Sequence, residues 1–509
     1  MLKKYNVKSP ANKENDLTKP FPFNLMFKTT IGPEGNSVGY LRPETAQGLF
    51  VNFRRLLDYN LQRMPFAASQ IGLGFRNEIS PRNGLLRVRE FCMAEIEHFV
   101  NPKEKTHPKF SRVASKVLVL FPATAQLETG RTVNMSIGEA VATGVVNNET
   151  LGYFMARTQM WLEKIGVNPV KMRFRQHLKT EMAHYAADCW DMEINLSYGW
   201  IECVGHADRA CYDLQQHSKR TGVSMQAAEI LPEQITVERF VAEPVKKLLG
   251  PRFKTDQKKV MDALDALENE EAEQLQKELA TNGTSVIDGF EITPELVTFK
   301  REKKTISELK YTPSVIEPSY GIGRILYAVL EHAFSQRNGA EERCVMAFKP
   351  SVAPIKVGIY RLLNNPSFNP IISDIREMLQ AVDLSNRVDS SAGTIGRRYA
   401  RSDELGIPFA VTVDFDTFID NSVTVRDRDS MTQVRVAISS LVALMQQLVA
   451  EKMSWSSVLS RFPLVSTASG DDDDTTTDDK AAAATLKPPA RTTVVQKCTR
   501  ASFSRPAVL

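Results

Sequence analysis

The stretch FRNEISPRNGLLRVREFCMAEIEHF, residues 75 to 99, constrains the fold more than any other part of this 509-residue chain. Two runs of strand character flank a loop holding Pro81, Asn83 and Gly84, which predicts a long-looped antiparallel hairpin. Alternate residues of a strand share a face. Arg76 and Glu78 therefore fall together on the first run, and Arg87, Arg89, Phe91, Met93, Glu95 and Glu97 on the second. No apolar residue type dominates that face. Two arginines, a ring and two carboxylates in register suit a ligand with phosphates, a stackable base and an amine. A solvated strand face with surface ion pairs is the other reading this run allows.

Three further segments carry residue types with chemistry. VIEPSYGIGRILYAVLEHAF, residues 315 to 334, reads as strand, turn and helix; Gly321 and Gly323 permit close backbone approach, and Arg324 falls in the first helical turn. The alternative there is a helix packed on a strand with a surface arginine. The segment matches neither a P-loop nor a dinucleotide fingerprint. In GYLRPETAQGLF, residues 39 to 50, Pro43 precedes a helical run over 44 to 60 with Glu44 in its first turn, where a carboxylate is also at home as a plain helix-start residue. In GWIECVG, residues 199 to 205, Glu202 sits among apolar strand neighbours, where an ionised carboxylate is costly unless it is paired or binds a metal.

The strand character of this last segment extends over 198 to 214, which returns to the core after a helix-rich stretch that follows Val100. Charge rises from 219 to 310, with one amphipathic helix predicted over 256 to 279 and a stop at Asn282-Gly283. From 344 to 455, strand-like VAPIKVGIY, PFAVTVDF and SVTVRD alternate with helical FNPIISDIREMLQAV and VRVAISSLVALMQQLV, the arrangement of a second, α/β domain. Beyond Phe462 a low-complexity acidic and alanine-rich stretch predicts a disordered tail. A net charge of +4 is too small to announce nucleic acid, so any RNA contact must come from local patches such as Arg397, Arg398 and Arg401 around Tyr399. Six scattered cysteines without a C-x-x-C pair read as reduced intracellular thiols. Cys203, His206 and Cys211 lack a fourth zinc ligand at their spacing. No apolar run approaches the roughly 20 residues that cross a bilayer, which predicts a soluble chain without membrane contact.

Taken together, these motifs resemble the class II aminoacyl-tRNA synthetases, and within them the eukaryotic-type glycyl-tRNA synthetases. FRNE at 75 to 78 with Arg87, Phe91 and Glu95 is similar to motif 2 of that class, and GIGR at 321 to 324 to motif 3. RPETAQG, RVREFCMAEIEHF, EPSYGIGR and SSAGTIGRRYARSDELGIPFAVTVD are glycyl-type wording, and the resemblance covers about residues 5 to 462. It implies an α+β fold: a polar segment over 1 to 20, then a six-stranded antiparallel catalytic sheet with helical insertions (21 to 343, insertions near 103 to 190 and 219 to 310). An α/β anticodon-binding domain (344 to 462) and the tail (463 to 509) follow. It also implies glycine–tRNA ligase activity with ATP, glycine, Mg²⁺ and tRNA(Gly), in the cytoplasm with a mitochondrial share as the alternative.

By the same resemblance Arg76 meets the α-phosphate, Arg324 the γ-phosphate, Phe91 stacks on adenine and Glu78 takes its exocyclic amine. Arg76, Glu78 and Arg324 are thus the implied catalytic residues. Asn77, Arg87 and Val88 line the nucleotide, while Glu202 and the Cys203 backbone face ATP and its magnesium, with Glu202 as metal ligand. Glycine falls to Glu44, Glu95, Glu317, Pro318 and Ser319, and tRNA to Arg397, Arg398 and Arg401. The class usually carries a motif 1 that builds a homodimer, and nothing before Phe21 matches it. A catalytically impaired, tRNA-binding or regulatory relative is the alternative that this favours.

Overall fold

The computed structural model describes residues 4–9, 12–17, 22–267, 269–337 and 343–465, so most of the expected tail lies outside the described residues. The chain divides into two compact units. Among the described residues, the first holds those within 4–156, 173–193 and 202–323, and the second those within 157–172, 194–201 and 324–465.

The first unit holds most of an eight-stranded sheet. In chain order its strands are β1 (Phe66–Phe75), β2 (Glu90–Val100), β3 (Val117–Phe121), β4 (Val133–Ser136), β5 (Met172–Gln176), β6 (Asp188–Leu196), β7 (Gly199–Asp208) and β8 (Ser314–Gly321). Their spatial order is β1-β2-β8-β7-β6-β5-β3-β4. The sheet thus has eight strands where six were expected, because part of the stretch read as a helical insertion supplies strands, and β3 pairs with β5 in parallel. The hairpin β1–β2 is antiparallel and sets Gly74 opposite Phe91 and Gln70 opposite Glu95. Continuing across, Glu95 faces Ser319 and Ser319 faces Gly205. One row therefore joins residues far apart in sequence.

Along β2 the side that carries Met93, Glu95, Glu97 and Phe99 is buried. Phe99 meets Phe53 and Phe66, each at 5.0 Å between ring centroids, and these rings join Ala46, Phe50, Leu57, Leu214 and Val315 in one apolar cluster. Short helices Ala46–Val51, Phe53–Tyr59 and Tyr212–Thr221 cover this face. The single helix expected over 44 to 60 is thus two helices that meet at Asn52, whose side chain donates back to the Gly48 carbonyl. The strand expected over 198 to 214 ends at Asp208, and its last residues belong to a helix.

Between the two halves of the sheet sequence, the strands Ala227–Pro244 and Val297–Tyr311 form a long antiparallel ribbon with an irregularity between Ile230 and Ile235. Helices Lys246–Phe253, Gln257–Asp265 and Asn269–Asn282 bury Leu249, Val260, Leu264, Leu275 and Leu279 against its base. The helix expected over 256 to 279 is therefore split, and Gly283 does end its second half, in the left-handed region at φ 73°.

The second unit contains a five-stranded sheet in the order Asn386–Asp389, Val357–Arg361, Phe409–Val413, Ser422–Asp427, Gln433–Ala437. Its first three strands run parallel and the last two antiparallel to their neighbours. Helices Asn369–Gln380 and Ile438–Val449 place Ile375, Leu379, Leu441 and Met445 in its core. The run VRVA, read as helical, is the last strand of this sheet. Its alternate valines, Val434 and Val436, point into the core with the period of a strand. No helix among the described residues is long and apolar enough to cross a membrane.

Candidate active site

The long-looped hairpin forms, but its charged ends leave the ladder. β1 stops at Phe75 and β2 starts at Glu90, so Arg76, Glu78, Arg87 and Arg89 lie outside the strands and share no pleated face. The reason lies in the loop: Asn83 and Gly84 both take left-handed backbone, at φ 62° and 58°, and open a one-turn helix over Gly84–Leu86. What holds the ends together is a set of local bonds. The Arg76 N–H donates to the Arg89 carbonyl at 3.0 Å, and Arg89 Nε donates to the Glu78 carbonyl at 3.0 Å. Asn77 is tied to the amino-terminal segment through its N–H on the Leu25 carbonyl (2.7 Å) and its amide on the Asn24 carbonyl (3.1 Å). Arg76 is exposed and its guanidinium lies 5.4 Å from the Phe91 ring centroid. Gly74 makes room for that ring, since a Cβ there would stand 2.8 Å from Phe91. Arg87 is exposed and Val88 half-buried after the loop.

On the same strand face as Phe91, four residues further on, a buried acidic cluster begins. Glu95 accepts from the Thr45 N–H at 2.6 Å, the Ala46 N–H at 2.9 Å and the Thr45 hydroxyl, and its other oxygen accepts from the Ser319 hydroxyl at 3.1 Å. It thereby satisfies the free N–H groups that open the helix Ala46–Val51. Glu317, on β8, is buried and accepts from Arg209 at 2.7 Å. Arg209 also grips Asp213 with two nitrogens, at 2.8 and 3.1 Å, and stands 3.7 Å from Glu44. The rings of Tyr185 and Phe50 cover its guanidinium at 4.6 and 5.3 Å. Gln47 connects Glu44 (2.9 Å) to Asp213 (3.3 Å). Pro318 lies on β8 beside this group, paired with His206 of β7.

The electrostatics follow from crowding acids in a dry place. Burial pulls the Arg209 pKa down, but Glu317, Asp213 and Glu44 outweigh it, so the guanidinium is held charged above its ordinary range. Glu317 is pushed up to about 7 by burial, opposed by Arg209 and reinforced by Glu95 and Glu44. Glu97, two residues beyond Glu95 and fully buried, is raised well above the usual carboxylate value by burial and by Glu317.

The families now bear on this arrangement. Residues 27–333 match the tRNA synthetase class II core domain (G, H, P, S and T), and residues 351–448 match the anticodon binding domain. Over 469 residues the chain is 52% identical to the glycine–tRNA ligase of Caenorhabditis elegans, covering 91% of this chain and 63% of that one. It is 49% identical to the putative glycine–tRNA ligase of Schizosaccharomyces pombe (91% and 72%) and 44% identical to the glycine–tRNA ligase of Methanocaldococcus jannaschii (89% and 79%). The chain belongs to the glycine–tRNA ligase family of class II synthetases. It spans a little under two thirds of the length of the animal relative.

Seen as a synthetase of this family, the chain gathers Glu44, Glu95, Glu317 and Ser319 into one acidic group. Glu202 is exposed on β7 and Cys203 beside it is buried. One exposed carboxylate suits Mg²⁺, which is held by one or two carboxylates and otherwise by substrate phosphates and water. Arg324 opens the helix Ile322–Ala333 and falls in the second compact unit. No zinc cluster forms from Cys203, His206 and Cys211: His206 is buried against Phe174, with its pKa lowered to about 4 by burial, and the Cys211 thiol donates to the Thr312 carbonyl. One grouping among the described residues, His177, Cys189 and Asp191, has donors within 4.8 Å of one another. There the imidazole already pairs with Asp191 at 2.8 Å, and Arg175 reaches Asp191 at 3.4 Å and Glu193 at 3.2 Å, so the charges are matched within the protein.

In the second unit the expected tRNA patch changes composition. Arg398 is buried and donates to the carbonyls of Arg361 (2.8 Å) and Leu362 (3.2 Å), so it cannot offer its guanidinium to a phosphate. Tyr399 is also engaged, its hydroxyl on Thr412 at 2.6 Å and its ring 4.7 Å from Arg426. Arg397 is exposed, and Arg401 is exposed while paired with Asp389 at 3.2 Å. Arg209, Asp213 and Glu97 were not among the expected site residues. Arg209 precedes the helix Tyr212–Thr221 that carries Asp213, with left-handed backbone at Ala210 between them, so helical spacing gave no signal for this pair.

Proposed function

We propose that this chain activates glycine with ATP to glycyl-adenylate and pyrophosphate and then transfers the glycyl group to the terminal ribose of tRNA(Gly). The observation that carries this reading is the placement of Phe91 with Arg76 and the acidic pocket on one strand face, about 13 Å apart along β2 at 3.3 Å per residue. A base, a phosphate and an amine joined in one adenylate need that order of partners. The glycine carboxylate is itself the nucleophile, so the first step needs no general base. The protein's task is to hold the groups in line and to offset charge on phosphorus.

In this reading Arg76 moves from the Phe91 ring to the α-phosphate, Phe91 then stacks on adenine, and Glu78 takes the exocyclic amine, with Asn77, Arg87, Val88 and the Cys203 backbone along the nucleotide. Arg324 serves the γ-phosphate. Glu202 would hold Mg²⁺, which when bound neutralises phosphate charge. Glu44, Glu95 and Glu317 receive the glycine ammonium, and Pro318 and Ser319 wall the pocket against a side chain. Excluding a larger amino acid by overlap is easier than rejecting a smaller one, so this pocket needs no editing site. The location that goes with the reading is the cytoplasm, with a mitochondrial share as the alternative.

For tRNA, Arg397 and Arg401 are the cationic contacts. Exchanging both for Glu should cut glycylation of tRNA(Gly) transcripts at least about tenfold at moderate salt, through lost phosphate neutralisation, and leave glycine-dependent pyrophosphate exchange unchanged. Equal charging by the variant and the native chain would remove this patch from the tRNA path.

A further inference from the structure

Glu97 is the one member of the acidic cluster with no hydrogen-bond partner among the described residues: both of its carboxyl oxygens are buried and unsatisfied. It shares the β2 face with Glu95. The charged groups around it come from every element that builds the pocket: Glu44 before the first helix, Glu95 on its own strand, Glu317 on β8, and Arg209 after β7. Asp213 takes part of the Arg209 charge, and Tyr185 lies over the same guanidinium. Lys105, further out, is spent on Asp208 at 2.6 Å. One cation, Arg209, therefore pairs with three carboxylates, Glu317, Asp213 and Glu44, while Glu95 is held by neutral donors.

We propose that Glu97 is a further glycine-specificity residue, a neutral acid in the free pocket that receives the α-ammonium of the substrate and releases its own proton as it does so. The inference rests on the glycine reading above. A buried polar group without a partner costs free energy, and such a group aimed into a binding cluster is a vacancy of the right polarity for an incoming donor. The ammonium brings the second positive charge that the cluster lacks. The O–H bond of Glu97 breaks with its electron pair left on the carboxylate, the proton passes to solvent, and the ammonium keeps all of its protons. Burial and the neighbouring carboxylates raise the Glu97 pKa well above the usual carboxylate value against the opposing pull of Arg209, which favours the protonated acid, so the sign follows: ligand affinity rises with pH until Glu97 ionises unaided, and is flat above that.

Two probes separate the ammonium from everything else: 5′-O-(N-glycylsulfamoyl)adenosine, which carries it, and 5′-O-(N-acetylsulfamoyl)adenosine, which does not. Calorimetry at pH 7 in buffers of different ionisation enthalpy counts the protons released. The native chain should release more for the glycyl than for the acetyl probe. Glu97→Gln, isosteric with the neutral acid, should lose most of that difference and bind the glycyl probe at least about tenfold more weakly, with the acetyl probe held within about twofold. Equal release by Glu97→Gln and the native chain assigns the proton to Glu317 and overturns the inference while the glycine reading stands. Equal release for the two probes on the native chain overturns it without any variant. Failure of both probes to bind overturns the inference together with the reading on which it rests.

Discussion

Arg76→Ala should lower glycine-dependent pyrophosphate exchange by about 10²- to 10³-fold, the loss that follows removal of one group that offsets a developing charge. It should leave the fold intact. Arg76 is exposed and its side chain contributes one contact, over Phe91 at 5.4 Å, worth about 0.5–1 kcal/mol at an exposed position. Exchange kinetics and a thermal melt on the same preparation check both halves. Loss of exchange with an unchanged melt places the effect in the chemistry. Retained exchange would mean that charge on the α-phosphate is offset elsewhere.

Arg209→Gln should act the other way round, through stability first. The guanidinium is the shared countercharge of Glu317, Asp213 and Glu44, and its removal leaves buried carboxylates facing one another. Breaking one partner from such a group costs about 3–5 kcal/mol. Urea unfolding should record a loss of that order, and glycine activation should disappear with it. A second substitution separates the parts: Glu317→Gln in the Arg209→Gln background removes one of the stranded charges and should restore part of the lost stability. If the double variant is no more stable than Arg209→Gln alone, Glu317 is not what the arginine compensates.

These two arginines mark what can and cannot be read from the chain before its fold is known. The hairpin around residues 75 to 99 is legible because its two runs and its Pro-Asn-Gly loop are contiguous, and period-two alternation places Glu95 and Glu97 correctly. The same rule fails for Arg76, Arg87 and Arg89, since β1 already ends at Phe75 and β2 begins only at Glu90, with left-handed backbone at Asn83 and Gly84 in the loop between them. Helices written as single amphipathic runs break where a local bond or a packing limit intervenes, as at Asn52. Arg398 reads as a surface cation beside Arg397, yet one step of helical rotation turns it onto two backbone carbonyls. Arg209 is the clearest omission. Its partners lie 4, 108 and 165 positions away, and only the strand order β2-β8-β7 brings them together. A sheet assembled from distant segments has no local signature of its neighbours, so the residue types of the pocket are visible in sequence while its central countercharge is not.

The most direct test of the central claim is exchange of labelled pyrophosphate into ATP by the 509-residue chain, with glycine, alanine and serine offered in turn. The account predicts exchange with glycine and none above background with alanine or serine, because the proposed pocket meets the ammonium with Glu44, Glu95 and Glu317 and is walled against a side chain by Pro318 and Ser319. Exchange that alanine supports as well as glycine, or a folded chain that supports none, would contradict it.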